Sequence, residues 1–307
     1  MNKKLMTYLA LAFTILFWGL SFIATKIALT SFPPFVYMFF RFTLASLFFL
    51  VLMLWRGFPK LSAGDHKKLF LVGLLEPGLY FIFETFGLTY TTASKASLII
   101  AAVPIAVLLL ARVILKEKIT GIRLWGVILS IAGIMILIMG DPKFSISSAG
   151  SLLGDGLILG AVISASFYMI IARDLGQRLS ALEITSFQVF YGAILFTPFF
   201  LLNMGGMQWS QVSAQAVGAV VFLAVFATIL GFLFYNYALT RIPASQVAVF
   251  INGIPVVTAI GAWFILGESL TLLQIAGGLV VLIAVIVANK PVAKNHETNT
   301  PQASRHS

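Results

Sequence analysis

The sequence predicts an all-α polytopic membrane protein: ten transmembrane helices arranged as two inverted five-helix repeats. Three observations carry this. The 307 residues are 60% hydrophobic and only 10% charged, where an ordinary soluble domain carries about 25% charged residues; mean hydropathy is +1.03. The apolar residues gather in ten runs, each near the roughly 20 residues a bilayer crossing needs. The second half of the chain repeats the first. Disorder is excluded, because too much apolar surface would face water, and so is a soluble globule, which has too few charges here to cover its surface. There is no cysteine, hence no disulfide, thiolate metal site or cysteine nucleophile.

The spans fall near 6–28, 35–55, 69–89, 93–115, 121–140, 152–172, 183–203, 215–238, 244–266 and 270–289, read as apolar runs bounded by polar clusters. The first follows Lys3-Lys4. It is too long for the apolar region of a cleaved signal peptide and no A-x-A site closes it, so it reads as a retained span. Short connections separate the others: Ser31-Phe32-Pro33-Pro34, Thr89-Tyr90-Thr91-Thr92 and Arg241-Ile242-Pro243. Asp141-Pro142 and Gly205-Gly206 are helix stops. Two repeats are expected over 1–146 and 147–289. The polar, aperiodic segment 290–307 reads as a disordered cytoplasmic tail.

With the amino terminus inside and strict alternation, 16 of the 20 Lys and Arg fall on the inner side. The exceptions are Lys26, Arg41, Lys95 and Lys143. That bias predicts a cell (inner) membrane protein with both termini cytoplasmic. It also accounts for the net charge of +10 without nucleic acid as a partner.

Residues 88–126 and 239–277 align without a gap. Leu88-Thr89 meets Leu239-Thr240, Ala93-Ser94 meets Ala244-Ser245, Pro104 meets Pro255, Glu117 meets Glu268, Thr120 meets Thr271 and Gly126 meets Gly277. With a small shift, Phe40-Arg41 lies near Phe187-Gln188 and Ser21-Phe22 near Ser166-Phe167. Five spans per half is odd, so the halves lie upside down relative to one another, the arrangement of proteins that expose one central site alternately to each side.

The Trp18-Gly19-x-Ser21-Phe22 start, Arg41 in the second span, the Ala-Ser stretch leading to Pro104 or Pro255, and the Leu-x-Glu endings at Glu117 and Glu268 resemble the EamA-type transporters of the drug/metabolite transporter superfamily. The likeness runs over nearly the whole chain and both halves. It implies ten helices, a central substrate cavity, and movement of small metabolites, often export of amino acids and related compounds. Two departures stand out. Gln188 occupies the place of the arginine, and no tryptophan in the second half matches Trp18.

A charge in the hydrocarbon costs about 2.5–3.5 kcal/mol on insertion scales, so Lys26, Arg41, Glu76 and Glu84 need reasons. Glu84 sits about 7–8 Å below the outer end of its span at 1.5 Å per residue, with Lys26 and Arg41 at similar depth. An ion-pair cluster facing the bundle interior is expected, snorkelling of the two cations being the alternative. Glu76 lies near mid-membrane. Glu76, Tyr80 and Glu84 share one helical face, and Pro77-Gly78 predicts a kink. Glu76 is expected to line the cavity and either contact a substrate amine or carry a proton; the alternative is a permanently protonated group hydrogen-bonding between helices. Pro104 and Pro255, repeat partners near mid-span, are expected kinks beside the substrate site. Asn236, Asn252 and the aromatics Trp18, Tyr80, Tyr168 and Tyr191 complete the candidates.

Lys95 and Lys143 are expected outside with little role, Glu117 and Glu268 as interfacial caps, and Asp155 at the start of the sixth span, where a carboxylate suits a helix N-terminus. His66, His296 and His306 fall in loops or tail, so no histidine proton relay is available. Gly218, Gly261 and Gly277-Gly278 are expected to bring helices together. No phosphate-binding loop is present, so ATP cannot drive the chain directly. No cofactor site, metal cluster or catalytic constellation is set up, and an enzyme is not expected. The resulting expectation is a secondary transporter working by alternating access within the lipid bilayer, with a small-molecule substrate and protons as a candidate coupling ion. The alternatives are an uncoupled facilitator and a structural or regulatory membrane subunit.

Overall fold

The computed structural model describes residues 3–114, 121–140 and 149–288. Among them the chain is helical, with no strand. The helices are α1 (Lys3–Ala28), α2 (Pro34–Arg56), α3 (Ala63–Gly73), α4 (Tyr80–Tyr90), α5 (Ala93–Ile100), α6 (Val103–Ile114) and α7 (Gly121–Met139) in the first half. The second half has α8 (Ala149–Leu175), α9 (Ala181–Asn203), α10 (Ala214–Phe222), α11 (Gly231–Leu239), α12 (Ala244–Phe250), α13 (Ile254–Leu266) and α14 (Leu272–Ala288). They build ten spans, because α3 with α4, α5 with α6, α10 with α11 and α12 with α13 each make one interrupted crossing. Among the described residues seven spans are long and apolar enough to cross a membrane, and three shorter apolar helices complete the set. The protein is an all-α, multi-pass membrane protein of two inverted five-span halves.

The interruptions repeat. A kinked turn with a non-helical residue inside it, Leu74–Leu79, joins α3 to α4, and a π-helical stretch, Leu223–Leu230, joins α10 to α11. In the first, Pro77 has no N–H to give the helix and Glu76 is extended at φ −146°, ψ 108°. The fourth span breaks at Ala101-Ala102, so that Pro104 falls in the first turn of α6. The ninth breaks at a 3₁₀ turn, Ile251–Gly253, with Pro255 in the first turn of α13. Proline is tolerated there because first-turn N–H groups lack intrahelical partners. Thus the sequence-predicted kinks at Pro77, Pro104 and Pro255 coincide with interruptions. The eighth-span turn has no proline to announce it.

Packing follows the same symmetry. The second span lies against the seventh (α2 on α9) and the fifth against the tenth (α7 on α14). The third packs on the sixth (α4 on α8) just as the eighth packs on the first (α11 on α1). A Cβ on Gly277 would stand 2.6 Å from the Leu137 backbone nitrogen, one on Gly278 2.6 Å from Leu98 Cδ2, and one on Gly261 3.0 Å from Ile23 Cδ1. Glycine there sets the spacing between helices. Gly218 differs from expectation, since nothing lies within 4 Å of a Cβ placed on it.

Span ends are closed by side chains. Ser62 with Asp65 and Ser180 with Glu183 form capping boxes that start α3 and α9. The first box puts His66 in the opening turn of α3 rather than in a loop. Lys68 pairs with Asp174 at 2.6 Å and Arg178 with Asp65 at 2.8 Å at the same end of the bundle. At the other end Glu268 accepts bonds from the backbone N–H groups of Ala93 and Ser94, both at 3.0 Å, and from Ser94 Oγ at 2.9 Å. It is the cap expected of it, on α5 rather than on its own helix. Lys95 corrects the sequence reading. Its side chain is fully buried and its Nζ lies 2.8 Å from Asp155 Oδ2, because the first turn of α5 faces α8 rather than solvent. Glu117, Lys143, His296, His306, part of the connection after the fifth span, and the tail lie outside the described residues.

Candidate functional site

Between the halves lies a cavity walled by side chains of both. Six of the expected site residues line it: Trp18, Arg41, Glu76, Tyr80, Glu84 and Tyr168. The first four spans supply most of the wall. The sixth adds Ala165, Tyr168 and Met169, the eighth Tyr235, and the ninth Ile251 and Ile254. Asn236 stands one layer behind. Its Oδ1 accepts the Tyr168 hydroxyl at 2.7 Å, and its Nδ2 donates to Thr185 Oγ1 at 2.9 Å and to Gln188 Oε1 at 3.0 Å. Asn252 does not line the cavity, because the 3₁₀ turn presents its neighbours Ile251 and Ile254 instead. Tyr191 is also elsewhere, near the start of α3, where its hydroxyl lies 3.2 Å from His66 Nδ1.

Arg41 does not snorkel. It is 1% exposed. Its Nε donates to Thr228 Oγ1 at 2.7 Å, and one terminal nitrogen donates to the Tyr37 hydroxyl at 2.8 Å. The guanidinium carbon sits 4.2 Å from the centre of the Phe81 ring, a cation–π contact that stabilises a desolvated cation. Tyr37 is itself held 3.1 Å from Thr25 Oγ1. The expected ion-pair cluster is looser than foreseen: among the described residues no carboxylate lies within ion-pair distance of Arg41. Glu84 instead accepts a bond from Thr85 Oγ1 at 3.2 Å. The cation and both carboxyls therefore face common space, with Arg41 hydrogen-bonding capacity left on its second terminal nitrogen.

The shared face of Glu76, Tyr80 and Glu84 survives for a different reason from the one the spacing suggested. The helix is interrupted between Glu76 and Tyr80, and it is the kinked turn that brings the three to one wall. Aromatic faces close the rest: Trp18 and Tyr235 have ring centres 4.7 Å apart, and Tyr168 lies stacked 6.4 Å from Tyr235. Tyr235 is the repeat partner of Glu84, a signal the internal alignment carried. Ser21 and Phe22 carry a signal only as part of the Trp18-Gly19-x-Ser21-Phe22 start, and Met169 carries none that sets it apart from packing residues. No group of three or more metal-ligating side chains occurs among the described residues.

A sequence model of the EamA-like transporter family matches residues 5–139 and again 152–290. An uncharacterized transporter of Archaeoglobus fulgidus is 30% identical over 287 residues, covering 92% of this chain and 99% of the relative. The uncharacterized transporter YcxC of Bacillus subtilis is 33% identical over 288 residues, 88% of each chain. A probable terminal-alkyne amino-acid exporter of Streptantibioticus cattleyicolor is 24% identical over 295 residues, 95% of this chain and 96% of the relative. A solved crystal structure superimposes with a TM-score of 0.67 at 17% identity, covering 92% of this chain and 96% of the other, a likeness of fold.

Proposed function

Because the chain belongs to the EamA-like transporter family, whose relatives here are named as transporters and not as enzymes, we propose that it is a secondary transporter exporting small amphiphilic amino acids by alternating access. One observation carries the substrate class: a buried guanidinium and two carboxyls face one cavity whose remaining wall is largely apolar and aromatic. A zwitterion fits such a site. Its carboxylate meets the open nitrogen of Arg41 in a charge-assisted bond, its ammonium meets Glu76 or Glu84, and its side chain lies against Trp18, Tyr168 and Tyr235. The name of the Streptantibioticus relative agrees with amino acids as the class and with export as the direction.

The repeats at 1–146 and 147–289 are the rocking bodies, with Pro77, Pro104 and Pro255 at the interruptions about which they move. The protein sits in the cell membrane with both termini cytoplasmic, a reading supported by the Lys and Arg bias. Purified protein in liposomes should move labelled neutral amino acids with apolar side chains. Absence of flux across a broad amino-acid panel, with monodisperse folded protein, overturns the substrate class. A pH gradient that accelerates flux in the native chain but not in Glu76→Gln supports proton coupling; equal flux with and without the gradient makes the protein a facilitator.

A further inference from the structure

The kinked turn of the third span and the π-helical stretch of the eighth are each held by side chains from the opposite half. At the first, Ser164 Oγ on α8 donates to the Leu75 carbonyl at 2.7 Å, and Gln188 Nε2 on α9 donates to the Glu76 carbonyl at 2.8 Å. At the second, Trp18 Nε1 on α1 donates to the Ala227 carbonyl at 3.0 Å, and Arg41 Nε on α2 donates to Thr228 Oγ1 at 2.7 Å. The pattern is the repeat symmetry in hydrogen bonds. Gln188 occupies the register position of Arg41, and Ser164 lies one residue from that of Trp18. The side chains differ in type and size. What they share is a polar hydrogen delivered across the interface to an irregular turn.

Gln188 is well anchored for this. It is fully buried, and its Oε1 accepts from Asn236, which Thr185 and Tyr168 fix in turn. That orients the amide, leaving Nε2 toward the Glu76 carbonyl. Glu76 is extended in the middle of an otherwise helical crossing, and a backbone group there needs a partner because no water competes for it in the hydrocarbon. The carbonyl direction set by α9 and the direction of the Glu76 side chain belong to the same pair of backbone angles.

We propose that Gln188, seconded by Ser164, is a positioning residue of the transport site: by bonding the carbonyls of the kinked turn at Leu75 and Glu76 from the second half, it keeps the Glu76 carboxyl aimed into the cavity. This rests on the reading of that cavity as the transport site. It also gives a role to the position at which the second half departs from the arginine of the first.

The chain has no cysteine, so single-cysteine variants report one position each. Glu76→Cys and, as a control on the same wall but without a bond to Gln188, Ala165→Cys are labelled in membrane vesicles with a charged methanethiosulfonate reagent. Both should react. Adding Gln188→Leu should slow labelling at position 76 by at least about fivefold, within what one lost buried hydrogen bond allows, and leave position 165 unchanged. An unchanged rate at 76 overturns the proposal. Equal slowing at both positions also overturns it, because that is what general collapse of the cavity does. If neither position reacts in the otherwise native chain, the cavity reading fails and takes the proposal with it. Should Gln188→Leu not fold, Ser164→Ala is read by the same ratio of rates, with slowing at 76 alone expected and an unchanged ratio decisive against.

Discussion

Lys95 Nζ lies 2.8 Å from Asp155 Oδ2, with the two side chains 0% and 2% exposed. The pair joins the first turn of α5 to α8, one half of the molecule to the other, and Thr91 Oγ1 adds a bond to Asp155 Oδ1 at 3.4 Å. Removing one member of this buried pair takes from the other a charge partner at 2.8 Å, and breaking such a pair costs about 3–5 kcal/mol. Lys95→Met should therefore lower the thermal midpoint in detergent sharply. The double variant Lys95→Met with Asp155→Leu should recover much of the loss, since apolar replacements of buried pairs are often tolerated. A double variant as unstable as the single one would show that the pair adds more than charge balance.

Glu268 caps α5 through two backbone N–H groups and one hydroxyl. A carboxylate at a helix N-terminus gains from both the bonds and the helix dipole, about 0.5–2 kcal/mol for a cap. Glu268→Gln keeps the size and loses the charge, so a drop in midpoint toward the low end of that range is expected. Glu268→Leu should reach the high end. Differential scanning fluorimetry of the three chains side by side measures the difference.

Arg41 combines a forked hydrogen-bond pattern with stacking on Phe81. Lysine has neither the fork nor the flat face. Arg41→Lys should reduce amino-acid flux by more than about tenfold, roughly the effect of losing one charge-assisted hydrogen bond. The charge is conserved, so near-native flux would mean that the cavity uses Arg41 only as a point charge.

Much of the fold was legible because a bilayer demands long apolar runs, and the ten runs are plain in the sequence. The repeat was legible at Pro104 and Pro255, where proline forces the same local consequence in both halves. The charged wall of the site was legible for the opposite reason: Arg41, Glu76 and Glu84 stand out against apolar neighbours. Lys95 reads as exposed from the sequence because proximity to a loop says nothing about which way the first turn of α5 faces. Asn252 reads as a lining residue, but a one-turn change from α to 3₁₀ rotates the lining to Ile251 and Ile254. The crossed donors left little trace, since Trp18 and Ser164 do one job with unrelated side chains, and matching by residue type cannot find a shared hydrogen bond. The eighth-span π turn had no signal, because widening a helix by one residue per turn requires no particular amino acid.

Gly277 approaches the backbone of α7 so closely that a Cβ would stand 2.6 Å from Leu137 nitrogen and 2.8 Å from the Gly133 carbonyl oxygen. Gly277→Leu should part the fifth and tenth spans and cost about 1–3 kcal/mol by overpacking, read as lower yield and midpoint. Neither span contributes a residue to the cavity wall. Flux per folded molecule should therefore persist, and its loss would show that these two spans do more than brace the bundle.

Each irregular turn takes its donors from the other half, and this bears on how such a molecule can originate. A gene encoding five spans alone would make a chain without these cross-half side-chain donors. A second copy inserted upside down beside the first would supply them, with both copies donating and both receiving. Joining the two copies in one polypeptide frees the positions from serving both roles at once. A tryptophan and an arginine serve one turn and a serine and a glutamine the other, a division of roles that two identical copies could not hold.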